Sequence, residues 1–312
     1  MLRRNVLEAG IGGLIGLIGS AVSLPLPALA EQPSETTPRE ISIILDDVGV
    51  RGNELENLKV LKEAKVPVTF AVLPYRNSET RLREILQFIS GYEQAQVILH
   101  QPMEPENMKN RGIEDNLEPR NRDGSVPIRT EDMAYDQNVH TAIYAHDADN
   151  PDLVRKILDN NIAYLNGILK KFGSKRVVGL NNHAGSRVTK SKEIAEVIVD
   201  YACENNLIVV DSMTIPNSAL YKAGAETSDC PPVYQRHGEF LDDGIKGTKA
   251  DYLADFRKVS ERLIGLLKQD VKGPVIGIGH IRFKATVEVL KDVYLEIIRE
   301  NLSYKFTTIK PS

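Results

Sequence analysis

The fold of this chain is most strongly indicated by an apolar run that ends in two adjacent carboxylates. Residues 41–45 are almost continuously apolar and lead directly into Asp46 and Asp47. Such a run is typical of a strand that is buried on both faces in a parallel sheet. Because burying two unpaired anions would be costly, the pair predicts a metal site or a general base at the carboxyl end of this strand. Asp47 could instead cap the following helix, but this alternative leaves Asp46 without a role.

The rest of the sequence repeats this pattern of an apolar run followed by an amphipathic stretch. Leu55, Leu58 and Leu61, for example, lie at helical spacing with charged residues between them. Strands that alternate with helices predict βαβ units and an α/β fold around a parallel sheet. After the first strand, the predicted strands are 66–74, 96–100, 177–180, 207–210, 274–280 and 304–309. The predicted helices are 53–64, 78–89, 153–172, 191–205 and 251–269, with a last helix before the final strand.

Two polar segments interrupt the alternation. Residues 105–150 are predicted to form a long excursion over the sheet edge, in which His140 and His146 are surface residues. A looser region follows residue 212 and contains Pro231 and Pro232. Neither segment carries a strong helix or strand pattern.

Length and charge limit the possible functions. The chain has 312 residues, is 42% hydrophobic and carries a formal net charge of -4, so a sizeable core is available. No basic cluster lies beyond the N-terminus, and nucleic acid is therefore not an expected partner. We predict a single catalytic domain over residues 41–312.

The first 30 residues have the order of a secretory signal. Arg3 and Arg4 precede an apolar, glycine-rich run over 11–26, and 28–30 reads Ala-Leu-Ala, a small-x-small cleavage pattern. We therefore predict a signal peptide over 1–30, a flexible lead-in over 31–40, and export to the periplasm or the outside of the cell. Two alternatives stay open, an uncleaved segment that anchors the protein in a membrane and twin-arginine export.

Cysteine usage adds little. Cys203 and Cys230 are the only two cysteines of the chain. In an oxidising compartment they could form one disulfide, although the sequence does not show that they meet.

Polar residues collect where the predicted strands end. Because these ends lie on one face of a parallel βα fold, residues far apart in sequence would converge there. One carboxylate and two imidazoles suit a borderline divalent ion such as zinc, with a water in an open position. A second carboxylate could accept the proton of that water, and a histidine opposite could protonate the leaving group. The residues at these ends are Asp46, Asp47, His100, Glu104, Asn182, His183, Asp211, Ser212 and His280.

Seven short motifs along the chain also resemble those of a known family. They are Leu45–Gly49, Val68–Pro74, Leu99–Pro105, Asn181–Ser186, Val210–Ser212, Phe240–Asp242 and Ile278–His280. Over roughly residues 41–309 the chain resembles the divergent polysaccharide deacetylases, relatives of the NodB-type carbohydrate esterases. The motifs are specific as a set, although each one alone would be weak.

This resemblance implies a distorted (β/α) barrel with parallel central strands. It also implies one divalent metal ion, expected to be zinc, and the removal of acetyl groups from the amino sugars of a cell-wall or extracellular polysaccharide. In the NodB pattern the first aspartate of the pair is the base and the second binds metal, which carries over to Asp46 and Asp47. The histidine of the late strand motif is the general acid, which carries over to His280.

Two motifs depart from the NodB pattern. Where that pattern has His-x-x-x-His, this chain has His100 and Glu104, and the fourth strand offers 181–183 (Asn-Asn-His) instead of arginine and proline. We therefore assign the metal to Asp47, His100 and His183, with Glu104 as an alternative ligand or a partner behind the ligands. The residues expected to bind the glycan substrate are Asn182, Ser186, Asp211, Ser212 and Asp242.

Two other interpretations stay open. Ser212, His280 and Asp242 could form the triad of a metal-free serine esterase, although no Gly-x-Ser-x-Gly elbow is present. The chain could also be a non-catalytic glycan-binding or scaffold protein, because the second metal histidine is replaced and a fold does not guarantee activity.

Overall fold

The centre of the molecule is a parallel β-sheet. The computed structural model describes residues 37–50, 53–74, 79–104, 142–226 and 230–310. Within them, eight strands form one sheet whose pairs are all parallel, which confirms the predicted α/β class. The strands are β1 (Arg39–Val48), β2 (Val68–Val72), β3 (Ala95–Met103), β4 (Val177–Ala184), β5 (Ile208–Asp211), β6 (Val233–Gln235), β7 (Val275–His280) and β8 (Tyr304–Thr307).

The sheet curls into a half-barrel, as expected for the distorted (β/α) barrel. Its strands lie in the order β6-β5-β4-β3-β2-β1-β7, and β8 pairs with the beginning of β1. Between β6 and β7, the segment 236–241 takes the place of a strand. The amide of His237 donates to the carbonyl of Ile276, and the amide of Leu241 donates to that of Ile278.

Helices cover the outer face of this sheet. They are α1 (Glu54–Glu63), α2 (Glu79–Ser90), α3 (Pro151–Leu169), α4 (Lys192–Glu204), α5 (Ala219–Ala225), α6 (Tyr252–Leu267) and α7 (Lys284–Arg299). Two short 3₁₀ segments lie at Ala145–Asp149 and Val188–Lys190. Alternate residues of β1 (Ile41, Ile43 and Leu45) belong to the main core, which these helices share.

The inner face of the sheet carries a second, smaller apolar cluster. It includes residues from five strands, Ile44, Ala71, Ile98, Val210 and Ile278. Because side chains alternate across a strand, a residue two positions further along lies on the same face. This period brings Asp46, His100, Ser212 and His280 to one end of the half-barrel, above the apolar cluster.

The observed elements differ from the predicted ones mainly at their ends. β1 begins at Arg39, so Arg39 and Glu40 belong to the sheet, where they pair with β8, and not to the lead-in. β3 and β4 continue past their predicted ends, to Met103 and Ala184. α5 and β6 lie in the region predicted to be loose, and their lengths of 7 and 3 residues are too short for a clear pattern.

Some predictions fall on residues that the structure does not describe. They concern the signal peptide, most of the lead-in and His140. The side chain of His146 is 78% exposed, which confirms that it is a surface residue. No helix in the described part of the chain is long and apolar enough to cross a membrane.

The two cysteines are bonded to each other. Cys203, in the last turn of α4, forms a disulfide with Cys230, which precedes β6. The bond links positions 27 residues apart and ties the end of α4 to the short edge strand. It answers the question that the sequence left open.

Candidate active site

Strand pairing sets the first contacts of the site. In the β1–β7 register Asp46 lies beside His280, and in the β3–β4 register His100 lies beside Asn181. Asp46, His100 and Asn181 are at most 2% exposed, whereas the side chain of His280 is 19% exposed. These residues meet at the carboxyl ends of the strands, where βα enzymes place their chemistry, and we call this part of the molecule the cleft.

A turn at the end of β1 aims Asp47 into the same cleft as Asp46. Adjacent residues of a regular strand point to opposite faces. Here the β1–β2 register shifts, and Asp47 has a left-handed backbone with φ 59°. The buried carboxylate of Glu54 in α1 holds the turn, because it accepts hydrogen bonds from the amides of Gly49 (3.0 Å) and Val50 (2.9 Å). The bulge thus places both aspartates in one site.

Three side-chain atoms are placed as the ligands of one metal ion would be. Oδ1 of Asp47 lies 3.4 Å from Nε2 of His100 and 3.2 Å from Nδ1 of His183, and the two nitrogens are 3.0 Å apart. Atoms bonded to one tetrahedral zinc ion at about 2.0–2.2 Å are separated by about 3.3–3.5 Å. Oδ1 of Asp47 is buried and makes no hydrogen bond to a described residue. The donor set therefore fits a divalent ion, and the three predicted ligands come together.

Asn181 fixes the orientation of His100. Its Nδ2 donates to Oδ1 of Asp46 (2.8 Å), so its Oδ1 is the atom that lies 2.7 Å from Nδ1 of His100. Nδ1 of His100 must then carry a hydrogen, which leaves Nε2, the nitrogen nearer Asp47, as the atom that could bind a metal. One asparagine thus contacts both a predicted metal ligand and the predicted base.

Burial and neighbouring charges act differently on the two aspartates. Burial raises the pKa of Asp46, and the charges of His100 and His280 offset this only in part. Burial also opposes ionisation of Asp47, but its contacts with His100 and His183 and the charge of His280 hold its pKa well below the ordinary value. The adjacent carboxylates therefore have distinct environments, as different roles would require.

His280 is held from behind by Asp242. Nδ1 of His280 lies 2.7 Å from Oδ1 of Asp242, whose Oδ2 accepts hydrogen bonds from the His280 amide (2.6 Å) and from Thr286 (2.9 Å). Burial lowers the pKa of His280, but the hydrogen bond and charge of Asp242 outweigh this and raise it to about 9. Nε2 of His280, 3.8 Å from Oδ2 of Asp47, faces the cleft.

Glu104 connects two loops through hydrogen bonds, and it does not belong to the cluster of possible metal ligands. Its Oε2 accepts a hydrogen bond from the amide of Ala145 (2.8 Å), and its Oε1 accepts one from the guanidinium of Arg187 (2.8 Å). The carbonyl of Glu104 also accepts the amides of Arg187 and Val188. Because both carboxylate oxygens bind protein groups, the alternative assignment of Glu104 as a metal ligand is not supported.

Comparison with known proteins identifies the family. The sequence model of the divergent polysaccharide deacetylases matches residues 43–143 and 153–307. The chain belongs to this family. The matched residues include every residue of the cleft described above, so the resemblance carried by the seven motifs is confirmed.

This member of the deacetylase family is similar to several known proteins, at sequence identities of 26% or less. It is 26% identical over 289 residues to the uncharacterized protein YibQ of Escherichia coli K12, across 93% of this chain and 71% of that protein. Its fold is similar to that of the uncharacterized protein ATU2773 from Agrobacterium tumefaciens C58, with a TM-score of 0.52, 13% identity, and coverage of 90% and 91% of the two chains. The catalytic domain of a peptidoglycan N-acetylglucosamine deacetylase from Eubacterium rectale gives a TM-score of 0.47 with 10% identity, covering 91% and 93%.

Four of the five residues predicted to bind substrate are buried. At most 3% of each is exposed, and they are Asn182, Asp211, Ser212 and Asp242. Oδ1 of Asn182 accepts a hydrogen bond from the amide of Ser212 (2.8 Å), and Asp242 is turned toward His280. These side chains bind other parts of the protein, so the structure does not support their contact with substrate. Ser186 is half-buried, and its contact with substrate stays a prediction.

The serine-esterase alternative lacks an available nucleophile. His280 and Asp242 are paired, as such a triad requires. The hydroxyl of Ser212, however, donates to the carbonyl of Asn182 (3.1 Å) and accepts from Asn181 (3.3 Å). Within the described part of the chain it makes no hydrogen bond to His280, which a nucleophile and its base would need.

Several residues of the cleft were not among the functional residues predicted from the sequence. Asn181 is one, and Arg282, which donates to Oδ2 of Asp47 at 2.6 Å, is another. The rings of Phe240 and Phe283 lie 5.7 Å and 6.1 Å from the ring of His280. The only available signal was their position beside or within the motifs, since an amide, a guanidinium or a phenyl ring alone indicates no chemistry.

Proposed function

We propose that this chain is a metal-dependent hydrolase that removes acetyl groups from N-acetylated amino sugars of a cell-wall or extracellular polysaccharide. The observation that carries the proposal is the cluster of Asp47 Oδ1, His100 Nε2 and His183 Nδ1. Membership of the polysaccharide deacetylase family supports the substrate class. Zinc is the proposed ion, because it favours nitrogen and oxygen ligands in a four-coordinate site that keeps one position open.

Asp46 is the proposed general base. A divalent ion held by the three ligands would acidify a water molecule and polarise the acetyl carbonyl. Oδ1 of Asp46 is bound by Asn181, whereas its Oδ2 lies 3.8 Å from Nε2 of His100, beside the ligand atoms. Asp46 is therefore the carboxylate placed to take a proton from an attacking water.

His280 is the proposed general acid. Asp242 holds Nδ1, so the ring has one orientation, and Nε2 faces the cleft. The side chain is 19% exposed, which lets a substrate nitrogen approach it. A proton carried on Nε2 can pass to the departing amine as the carbon–nitrogen bond breaks.

We also propose that the protein acts outside the cytoplasm. The order of charged, apolar and small residues over 1–30 supports export, and the disulfide between Cys203 and Cys230 suits an oxidising compartment. Secreted or periplasmic protein should begin at or near Glu31 when its N-terminus is sequenced. Soluble cytoplasmic protein that retains Met1 would contradict export.

A second candidate function is glycan binding without catalysis. The observation that favours it is Glu104, which stands where the NodB pattern has a second metal histidine and braces two loops instead. This function would retain the fold and the cleft but release no acetate. It has the same expected ligand, so only a turnover assay separates it from the first.

The test is acetate release from N-acetylated chitooligosaccharides and peptidoglycan fragments, with metal content measured on the same purified samples. We expect about one zinc ion per chain and an activity that a chelator abolishes and zinc restores. Glycan binding by metal-loaded protein without acetate release would favour the second candidate. Absence of metal from the purified and zinc-treated protein would refute the proposed site.

Two asparagine variants test the division of labour between the aspartates. Asp46→Asn keeps the shape but cannot take a proton, so it should retain its metal and lose roughly 10²–10⁴ of its rate. Asp47→Asn weakens a charged ligand and should lower metal affinity, while asparagine tolerates the left-handed backbone at this position. Equal metal loss in the two variants would remove the division of labour.

A further inference from the structure

The metal-ligand candidate Asp47 has a second partner that the proposed reaction does not use. The guanidinium of Arg282 donates from Nη1 to Oδ2 of Asp47 at 2.6 Å. The nitrogens of His183 and His100 lie near the other oxygen, Oδ1, whereas Nε2 of His280 lies 3.8 Å from Oδ2. The two oxygens of Asp47 are thus divided, with Oδ1 toward the ligand cluster and Oδ2 toward a fixed cation.

The loop that carries Arg282 is tied to the helix that follows Asp47. In α1, the buried side chain of Asn57 donates to the carbonyl of Ile281 (2.6 Å), and Asn53, just before the helix, donates to that of Arg282 (3.1 Å). The guanidinium also lies over the ring of Phe283, 4.7 Å from its centre. The α1 region therefore holds the backbone on both sides of the ion pair, at the turn after Asp47 and at Arg282.

We infer that Arg282 is a positioning residue that restricts Asp47 to one oxygen toward the ion. A carboxylate can bind a metal through one oxygen or both, and a second bound oxygen would fill a position that the reaction needs open. A guanidinium hydrogen bond to Oδ2 favours the one-oxygen mode, because that oxygen is already occupied. The inference rests on the proposed metal site, and it adds that Arg282 keeps one coordination position of the ion free for the reaction.

The charge of Arg282 gives this role a distinctive signature. A positive charge beside a cation site repels the cation, so the charge of Arg282 should lower metal affinity and does not explain its position there. Removing the guanidinium should leave the affinity for a divalent ion undiminished, while the number of bound oxygens rises and turnover falls. A residue that merely supported the fold would lower affinity and turnover together.

The experiment replaces the native ion with Co²⁺, whose visible absorption is strong with four ligands and weak with five or six. In full-length mature protein, Arg282→Gln should lose intensity in this band, bind Co²⁺ no more weakly than the unchanged protein, and turn over roughly 10- to 100-fold more slowly. Arg282→Lys keeps a cation and a donor and should retain most of the band. Lys284→Gln removes a positive charge from an exposed position two residues away and should change neither the band nor the rate.

The outcomes are distinct. A band of equal intensity in Arg282→Gln and the unchanged protein would overturn the inference and leave the metal site standing. A loss of Co²⁺ binding in Arg282→Gln would also overturn it, because the arginine would then support the ligands and not select an oxygen. Failure of the unchanged protein to bind Co²⁺ would refute the proposed function itself, and the inference with it.

Discussion

The two sides of the cleft are built on different principles. The ligand side consists of Asp47, His100 and His183, whose facing atoms lie 3.0–3.4 Å apart, and the buried Oδ1 of Asp47 has no hydrogen bond to a described residue. The acid side consists of His280 and Asp242 with the hydroxyl of Thr286, and here both carboxylate oxygens are satisfied by protein donors.

Under the proposed function, the acid side is complete within the protein, whereas the ligand side needs a bound cation. A buried carboxylate oxygen without a donor is costly, and it becomes favourable when a cation is added. A carboxylate that accepts three hydrogen bonds needs nothing further and serves to hold its partner. Changes on the acid side should therefore alter turnover without altering metal content, and changes on the ligand side should alter metal content first.

The largest effect that would sharpen this contrast is expected from the acid side. His280→Ala removes the only side chain proposed to protonate the leaving amine, and turnover should fall by roughly 10²–10⁴ with unchanged metal stoichiometry. His146→Ala is the matched control, because His146 is a surface residue and its loss should leave the rate unchanged. Loss of metal from His280→Ala would make His280 a ligand and remove the contrast.

Asp242→Asn should give the next largest effect. Asparagine has nearly the same shape but no charge, and it cannot satisfy the His280 ring, the His280 amide and Thr286 together. A misplaced imidazole should lower kcat by up to about 10²-fold, with little change in KM or metal content. Steady-state kinetics beside the exposed neighbour variant Asp243→Asn provides the measurement. A rise in KM alone would point to substrate contact, as the sequence predicted.

The third prediction moves to the ligand side. Asn181→Ala removes the group that orients His100, and metal affinity should fall roughly 10- to 100-fold. Asn182→Ala also removes a buried amide from β4, but its bonds go to the backbone of Ser212 and Ala184, so it should change metal affinity far less. Competition with a metal-binding dye measures both. Equal affinities in the two variants would show that the hydrogen bond to Asn181 does not tune the ligand.

Most of the fold could be predicted because its strands are long and apolar. Segments such as 41–45 and 275–279 are almost continuously hydrophobic and stop at polar residues, so both the strand and its functional end are visible in the sequence. β6 has only three residues and follows Pro231 and Pro232, and a pattern this short cannot be told from a loop. The disulfide depends on where Cys203 and Cys230 meet in space, which no local pattern encodes.

The location of the site could be predicted from the sequence, but the contacts between its residues could not. Polar residues that end apolar runs identified Asp46, His100 and His280, whereas the contact between His100 and Asn181 depends on the register of two strands. Neighbouring residues of a regular strand point to opposite faces, so strand periodicity alone gives no reason for Asp47 to face the same site as Asp46. The bulge at the end of β1 and the left-handed backbone at Asp47 bring the two carboxylates together, and no sequence pattern shows either feature.

The smallest effect is expected from Glu104, and it tests where the ligand side ends. Glu104→Gln leaves Asp47 and its histidines untouched, so metal stoichiometry and affinity should stay at the unchanged level. Because Arg187 is largely exposed, its ion pair with Glu104 is screened by solvent, and the free energy of unfolding of metal-free protein should fall by only about 1 kcal/mol. Arg187→Gln should cost less, since the hydrogen bond from the Ala145 amide to Glu104 remains. Denaturant unfolding and metal titration on both variants measure these effects. A drop in metal affinity confined to Glu104→Gln would make Glu104 a metal ligand, and its hydrogen bonds to the two loops would then be a second role.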